Sequence, residues 1–350
     1  MRAVLKSGPE PGATVSSDQP EPSVGPQDVL VEIAAASVCG TDKEMFHWTP
    51  SAEAFALDFP TVMGHEGAGT VIEVGREVRD LAVGDRVALE SHLPCGHCFP
   101  CRTGDAHNCA NLKILGMHLP GVFAERLAAP QSICFKLPEG ISLDTGALLE
   151  PAGVAWHAIT RSGLAPAGGL VLVSGCGPVG LVIIQLSLLL GAANVVAVEP
   201  NPYRRSLAEK LGATVLDPAD DVVARCREMS GPRGGFDVGF EVSGAPRTLT
   251  MLLESVRREG TVVTIGHPAR PTEVDIAAHI NKKGVTLRGI FGRRIWDTWE
   301  EMALLVSSGR LDLDWLVTHR LPLEGLPEAV ELLSGEAGKV LLQPSLAATR

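Results

Sequence analysis

The sequence lacks any excess or run of basic residues. Its 30 Lys and Arg side chains are outnumbered by 41 Asp and Glu side chains, which gives a formal net charge of −11 at pH 7. Nucleic acids and anionic membrane surfaces attract basic patches, so an acidic chain of this kind suits neither. We therefore expect no nucleic-acid partner and no membrane partner.

The sequence also lacks an uninterrupted apolar segment of membrane-spanning length. No charged residue occurs from Ser162 to Val198, but glycines and a proline cut this stretch. The apolar piece that follows them is shorter than the ~20 residues that a spanning helix needs. The amino-terminal stretch MRAVLKSGPEPG has no apolar core of signal-peptide length. We expect a cytoplasmic protein, in which clustered cysteines more often bind metal than form disulfides.

The sequence pattern changes along the chain. The 350 residues, 45% of them hydrophobic, suffice for two domains with separate cores. Residues 1–152 contain short alternating runs between Gly and Pro turns, which favour a β-rich domain. Residues 153–291 alternate strands and helices, as is typical of a doubly wound parallel sheet, and residues 292–350 return to a helix and a last strand. The predicted fold class is α/β.

Four of the eight cysteines are clustered within residues 95–109. Their spacing, C-x2-C-x2-C-x7-C, lets one short loop surround a tetrahedral ion with four thiolates, and such a closed site has a structural role. An iron–sulfur cluster also uses four cysteines and remains an alternative. Two loop histidines, His97 and His107, are expected to be exposed to solvent. The candidate ligands are Cys95, Cys98, Cys101 and Cys109.

The motif GCGPVG follows the apolar strand LVLVS and opens a helix. Glycines there allow a tight turn, close approach of backbone N–H groups to a pyrophosphate, and close packing of helix on strand. The positive end of the helix dipole faces the phosphates. Glu199 follows at the end of NVVAVE, where an acid can accept hydrogen bonds from the adenosine ribose. The predicted dinucleotide-binding residues are Gly175, Gly177, Pro178, Val179, Gly180 and Glu199.

A second constellation combines a thiol, an imidazole and carboxyl groups. Cys39 and Thr41 lie in SVCGTD, His65 and Glu66 in VMGHEGAGTV, and Glu150 in LLEP. Cysteine, histidine and carboxylate are all zinc ligands, and Glu150 is a candidate fourth. By residue type alone, Cys39 is equally consistent with a buried cysteine that only packs in the core, and His65 and Glu66 with a pair exposed on the surface. The residues themselves leave both interpretations open.

Nearly the whole chain resembles the zinc-dependent medium-chain dehydrogenase family, and most closely its L-threonine dehydrogenase branch. The resemblance is carried, in order, by CGTD, GHEGAGTV, VGDRV, the four-cysteine loop, GVFAERL, EP, GCGPVG, FDVGFEVSGAP, FGRRIWDTWEEM and GKVLL. It implies a GroES-like catalytic domain built from residues 1–152 and 292–350 around a Rossmann cofactor domain of residues 153–291. It also implies a homodimer or homotetramer, one catalytic zinc and one structural zinc.

The resemblance assigns roles residue by residue. Cys39, His65 and either Glu66 or Glu150 hold the catalytic zinc, while the four clustered cysteines hold the structural zinc. Thr41 receives the substrate proton. The remaining assignments are substrate recognition by His92 and cofactor binding by Arg204, Gly266 and Arg293. The expected cofactor is NAD, because an acid at Glu199 repels a 2′-phosphate, although Arg204 and Arg205 together offer a phosphate site.

Two departures from the branch bear on the substrate. After the EP motif the chain reads Ala152, Gly153, Val154, where the branch has a bulky residue, Gly and Asn. The branch's proton-relay histidine is replaced by Glu44, as in zinc-dependent sugar dehydrogenases. We expect oxidation of L-threonine or a similar amino alcohol, with a sugar, cyclitol or polyol as the alternative. A non-enzymatic alternative is a crystallin-like or zinc-storing derivative of the fold, but such a protein does not require Cys39, Thr41, His65 and Glu66 together.

Overall fold

The computed structural model describes residues 1–163, 167–268 and 270–347. Its strands are β1 (Ala3–Lys6), β2 (Thr14–Ser16), β3 (Asp28–Ser37), β4 (Thr61–Val62), β5 (Glu66–Val74), β6 (Arg86–Leu89), β7 (His92–Leu93), β8 (Lys113–Ile114), β9 (Arg126–Pro130), β10 (Cys134–Lys136), β11 (Leu170–Ser174), β12 (Asn194–Val198), β13 (Thr214–Leu216), β14 (Phe236–Glu241), β15 (Val256–Thr264), β16 (Thr286–Gly289), β17 (Val317–Leu321) and β18 (Lys339–Leu342). Its α-helices are α1 (Gly40–His47), α2 (Pro50–Glu53), α3 (Phe99–Arg102), α4 (Leu143–Arg161), α5 (Pro178–Leu189), α6 (Pro202–Leu211), α7 (Val222–Ser230), α8 (Thr248–Ser255), α9 (Asp297–Ser307) and α10 (Leu326–Leu332).

Residue contacts divide the chain into two compact units. Unit 1 comprises Met1–Pro151 and Arg294–Arg350, and unit 2 comprises Ala152–Arg293. Unit 1 therefore contains segments from both ends of the sequence, whereas unit 2 is one continuous segment.

Unit 1 is organised around a seven-stranded sheet. Its strands follow the order β10-β6-β5-β3-β18-β17, and β9 also pairs with β3. The carboxy-terminal strand β18 lies between β3 and β17, antiparallel to β3 and parallel to β17. Strand β3 is buried along most of its length, and its neighbours β5 and β18 both pair with Ser37. The starts of β5 and β18 are thereby brought to the carboxyl end of β3.

The apolar core of unit 1 joins side chains from both parts of the sequence. Met63, Leu89 and Phe123 are fully buried, and they belong to the same cluster as Leu323 and Val340 from the carboxy-terminal segment. Burying a large aliphatic or aromatic side chain contributes about 1.5–3 kcal/mol. The carboxy-terminal segment therefore supplies part of the core that supports the site described below.

Unit 2 contains a six-stranded parallel sheet in the order β13-β12-β11-β14-β15-β16. Numbered within the unit, this order is 3-2-1-4-5-6, the doubly wound arrangement of dinucleotide-binding folds. Helices α5, α6, α7 and α8 make four of the five connections that parallel strands require, and the connection from β15 to β16 contains the short π-helix Ala277–Asn281. Leu172, Phe236 and Leu252 are among the fully buried residues of its core.

Across residues 1–163, 167–268 and 270–347, no helix combines the length and apolar character that crossing a membrane requires.

The glycine turn between β11 and α5 provides a test of the fold. A Cβ added at Gly180 would lie 1.9 Å from the Gly175 carbonyl oxygen, whereas one added at Gly177 would meet nothing within 4 Å. Gly180→Ala should therefore force the helix away from the turn at a cost of about 1–3 kcal/mol and lower the Tm by several degrees. Gly177→Ala is the matched control and should unfold within about 1 °C of the wild type. Equal Tm values for the two variants in calorimetry would contradict this packing.

Candidate active site

The four clustered cysteines of unit 1 converge on one point. Their sulfur atoms all lie within 4.8 Å of one another. The Cys98 sulfur is 3.4 Å from that of Cys101 and 3.7 Å from that of Cys109. These distances are too long for a disulfide, and they are close to the ~3.8 Å edge of a tetrahedron with metal–sulfur bonds of about 2.3 Å. The sulfurs are arranged to surround a single ion.

Hydrogen bonds around this cluster favour thiolates at some positions. The backbone N–H groups of Cys95 and Asn111 donate to the Cys109 sulfur at 3.2 and 3.3 Å. A hydrogen bond from the backbone of His97 is the main cause that lowers the pKa of Cys95 to about 5. Burial raises the pKa of Cys101 to about 12. Cysteine binds a metal as the thiolate, so an ion bound by these four sulfurs would release the protons that remain.

The two histidines of this loop differ. His97 is exposed as expected, and its Nδ1 lies 2.8 Å from the Cys95 carbonyl oxygen. The expectation for His107 is wrong, because its side chain is buried. It lies in the short 3-10 turn Ala106–Asn108, directly before the buried Cys109. The turn that brings Cys109 into the cluster therefore buries this histidine as well.

A second group in unit 1 consists of Cys39, His65 and Glu66, whose ligand atoms all lie within 4.8 Å of one another. Cys39 follows the end of β3 and caps α1, while His65 precedes β5 and Glu66 begins it. Glu66 is paired in register with Ser37 of β3. The antiparallel pairing of β3 and β5 thus joins residues far apart in sequence at one end of the sheet.

Asp42 lies against two of these residues, a position that the sequence interpretation missed. Its Oδ2 accepts a hydrogen bond of 2.8 Å from the backbone N–H of Cys39, and its Oδ1 lies 3.5 Å from His65 Nδ1. Burial lowers the pKa of His65, but the charge and hydrogen bond of Asp42, together with Cys39, raise it well above its usual value. The available signal was the position of Asp42 in the first turn of α1, where an acid commonly satisfies backbone N–H groups.

Lys339 is a second residue that the sequence interpretation missed. Its Nζ lies 2.5 Å from Glu66 Oε2 and 3.4 Å from the Val38 carbonyl oxygen. Burial lowers the pKa of Lys339, but the charges of Glu66, Cys39 and Glu150 raise it above its ordinary value. The signal was a lysine in the otherwise apolar strand GKVLL, where a buried cation requires an anionic partner.

Among the described residues, Glu150 does not belong to the group formed by Cys39, His65 and Glu66. Its carboxyl is buried and accepts a hydrogen bond of 2.8 Å from Ser91 Oγ. The neighbouring Glu90 is fully buried, and it accepts hydrogen bonds from the backbone N–H of His92 at 2.8 Å and from Trp299 Nε1 at 2.7 Å. Ser91 therefore holds the Glu150 carboxyl, and Glu90 holds the backbone of the buried His92.

Thr41 and Glu44 both lie on α1 and are half-buried. Thr41 Oγ1 is 3.9 Å from the Cys39 sulfur. Glu44 accepts a hydrogen bond from the Thr49 hydroxyl. Residues three apart on a helix share one face, so α1 presents Thr41 and Glu44 on the same side.

The glycine turn of unit 2 borders a cavity of about 360 Å³. Gly175 has a φ of +98° and Gly177 caps α5, so backbone N–H groups at the helix start face outward. The cavity lining includes Gly175, Gly177, Glu199 and Arg204. Pro178, Val179 and Gly180 form the first turn of α5. This is the arrangement expected of a dinucleotide phosphate turn.

Glu199 and Arg205 are held by neighbouring groups. The Glu199 carboxylate accepts hydrogen bonds from the backbone N–H groups of Cys176 at 2.7 Å and Asn201 at 2.9 Å. Arg205 donates to the Glu199 carbonyl oxygen and to the Asp217 carboxylate, both at 2.7 Å. Because Asp217 already neutralises Arg205, that guanidinium is a weaker phosphate site than the sequence alone suggests.

Gly266 and Arg293 are not among the described residues that line this cavity. A Cβ at Gly266 would lie 2.4 Å from the Gly244 backbone nitrogen. Arg293 is buried, and a Cβ at Gly153 would lie 2.9 Å from its Cδ. Neither Gly266 nor Gly153 therefore has room for a larger side chain.

Comparison with known proteins identifies the family of the chain. Residues 25–139 match the alcohol dehydrogenase GroES-like domain, and residues 178–308 match the zinc-binding dehydrogenase family. The L-threonine 3-dehydrogenase of Symbiobacterium thermophilum is 40% identical, with 99% of each chain covered. The 2R,3R-butanediol dehydrogenase of Bacillus subtilis is 32% identical, with a TM-score of 0.87 over 98% of this chain and 99% of the other. An NADP-bound chain from Sinorhizobium meliloti is 31% identical, with a TM-score of 0.86 over the same shares.

The chain belongs to the zinc-dependent medium-chain dehydrogenase family, in its L-threonine dehydrogenase branch. It is a zinc-dependent alcohol oxidoreductase with a GroES-like domain and a Rossmann-like domain, so the resemblance and the fold class predicted from the sequence are confirmed. Both clusters suit zinc. The four cysteines form a closed four-sulfur site, and Cys39, His65 and Glu66 form a mixed site with a single sulfur. The iron–sulfur alternative has no support from these relatives.

We expect two zinc ions per chain, measured by metal analysis of the purified protein. Cys95→Ser should lose one ion and unfold at a lower temperature, because the closed site supports its loop. Cys39→Ser should stay folded, keep the other ion and lose turnover. Cys226→Ser, a buried cysteine of unit 2, is the matched control and should keep both ions. One ion per chain in the wild type, or iron in place of zinc, would contradict the assignment.

Proposed function

We propose that this protein oxidises the secondary hydroxyl of L-threonine or a similar amino alcohol with NAD. The observation that carries the chemistry is the grouping of the half-buried Cys39 with the buried His65 and Glu66, whose ligand atoms lie within 4.8 Å of one another. The full-length relation to an L-threonine 3-dehydrogenase supports the substrate. A polyol or diol remains the second candidate, favoured by Glu44 and by the similarity to a butanediol dehydrogenase.

Cys39 and His65, together with Glu66 or Glu150, are proposed to hold the catalytic zinc. The donor set fits, because it combines a half-buried thiol with a buried imidazole and buried carboxyl oxygens. A zinc ion held there supplies a Lewis acid that makes an alcohol hydroxyl more acidic. Cys95, Cys98, Cys101 and Cys109 are proposed to hold the structural zinc.

Thr41 and Glu44 are proposed to move the proton that the substrate hydroxyl loses. Thr41 lies beside Cys39, with its hydroxyl 3.9 Å from the sulfur, so it is placed to accept this proton. Glu44 follows on the same face of α1, and its carboxylate already accepts a hydrogen bond from the Thr49 hydroxyl. We propose that Glu44 replaces the branch's histidine as the relay.

NAD is proposed as the cofactor, bound by the glycine turn of unit 2. Support comes from the cavity lined by Glu199 and Arg204. The Glu199 carboxylate keeps acceptor capacity beyond its two backbone partners, and its charge opposes a 2′-phosphate. The pairing of Arg205 with Asp217 removes one of the two arginines that could have favoured NADP. Gly266 and Arg293 are proposed cofactor contacts from family resemblance.

The remaining predictions from the sequence are proposals of the same kind. We propose that His92 recognises the substrate, and support comes from its buried position beside Glu90 and Ser91. The domain boundaries at 152/153 and 291/292, the homodimer or homotetramer and the cytoplasmic location stay predictions. The alcohol substrate itself follows from the family.

A substrate panel tests the proposed function. Initial rates with L-threonine, other amino alcohols, butanediols, sugar alcohols and cyclitols at fixed NAD should give L-threonine or a close analogue the largest kcat/KM. The expected margin over polyols is about tenfold or more, because a site built to hydrogen-bond a substrate rejects analogues that lack the polar group. A polyol with the largest kcat/KM would favour the alternative. No oxidation of any member would contradict the proposal.

The proposed relay predicts the behaviour of Glu44→Gln. Glutamine keeps the size of the side chain but cannot accept a proton, so alcohol oxidation at neutral pH should slow roughly ten- to a hundredfold. Zinc content and NAD affinity should not change. Glu53→Gln, an exposed glutamate on the neighbouring α2, is the matched control and should retain the wild-type rate. A wild-type rate and pH profile in Glu44→Gln would remove Glu44 from the mechanism.

A further inference from the structure

We propose that Lys339 is a positioning residue whose ammonium holds Glu66 and thereby weakens the attraction of the mixed site for its zinc ion. The proposal rests on the proposed function, because it takes Cys39, His65 and Glu66 as the catalytic metal ligands. It adds Lys339, from the carboxy-terminal strand β18, as a residue that contacts Glu66 and controls how far the Glu66 carboxylate is available to the ion.

The contact is built into the sheet. Glu66 begins β5 and Lys339 begins β18, and both strands pair with β3 at Ser37. Lys339 Nζ lies 2.5 Å from Glu66 Oε2, and the two side chains are 3% and 1% exposed. An ion pair so fully removed from water is geometrically constrained, and removing one partner leaves an uncompensated buried charge.

The charges around Lys339 explain its effect on a metal. Glu66 brings its negative charge to within 2.5 Å of the Lys339 ammonium. The ammonium cancels part of that charge and engages one oxygen of Glu66. Removing it would leave Glu66 with its full negative charge toward a dication and would free that oxygen. A metal site held by the same donors would then bind zinc more tightly.

Zinc release to a chelator measures this effect. In the two-zinc holoenzyme, Lys339→Met should slow zinc loss from the mixed site about tenfold or more, because charges a few ångströms apart in a protein interact more strongly than a factor of ten requires. Loss from the four-cysteine site should not change and serves as the internal reference. The metal-free form of Lys339→Met should unfold at a lower temperature, because Glu66 is then buried without its partner.

The direction of change separates this role from a merely structural one. Loosened packing would speed zinc loss, whereas the proposal requires slower loss. Lys339→Arg keeps the charge and should restore release to within about threefold of the wild type. Lys136→Met, which breaks the exposed 2.7 Å pair with Asp85 in the same unit, is the matched control and should not alter release.

If Lys339→Met does not fold, the double variant Lys339→Met with Glu66→Gln takes its place, since it removes both charges together. It should release zinc at the rate of Glu66→Gln alone, because the lysine acts through the glutamate. A folded Lys339→Met that releases zinc as fast as the wild type or faster would overturn the proposal, as would a double variant that differs from Glu66→Gln. Failure of the substrate panel with these release rates intact would overturn the proposed function instead.

Discussion

Several anionic side chains can be buried in one pocket only if positive charge faces them, and the mixed metal site of unit 1 depends on that constraint. Glu66 Oε2 lies 2.5 Å from the ammonium of Lys339, while Asp42 Oδ1 lies 3.5 Å from His65 Nδ1. The four-cysteine loop meets the same constraint with four sulfurs around one point. In both places the folded chain brings together several side chains that can ligate a cation, which is how a protein prepares a metal site.

The sheet of unit 1 makes this arrangement possible. Strand β3 lies between β5 and β18, so three chain segments deliver Cys39, Glu66 and Lys339 to one end of the sheet. The carboxy-terminal strand is therefore part of the site as well as part of the core. Unit 2 uses backbone geometry in place of charge pairs, because a turn with Gly175 at a φ of +98° exposes N–H groups at the start of α5.

The local parts of this account could be predicted from the sequence. The spacing of the four cysteines and the order strand, GCGPVG, helix and acid are short-range patterns with a direct geometric meaning. Lys339 and Asp42 could not be predicted, because their roles come from contacts with Glu66 and His65 that only the folded sheet creates. His107 was misjudged for the same reason: a histidine in a polar loop is buried here by the turn that orients Cys109. For Glu66 and Glu150, the sequence offered two candidate ligands, and the fold bonds one to Lys339 and the other to Ser91.

The central claim is that one chain carries a closed four-sulfur zinc site and a mixed site with a single sulfur. Zinc X-ray absorption spectroscopy of the wild-type protein tests it most directly, because sulfur and the lighter donors scatter at different distances. Averaged over the two ions, the account predicts about 2.5 sulfur and about 1.5 nitrogen or oxygen neighbours per zinc. An average of four sulfurs, or of fewer than two, would contradict it.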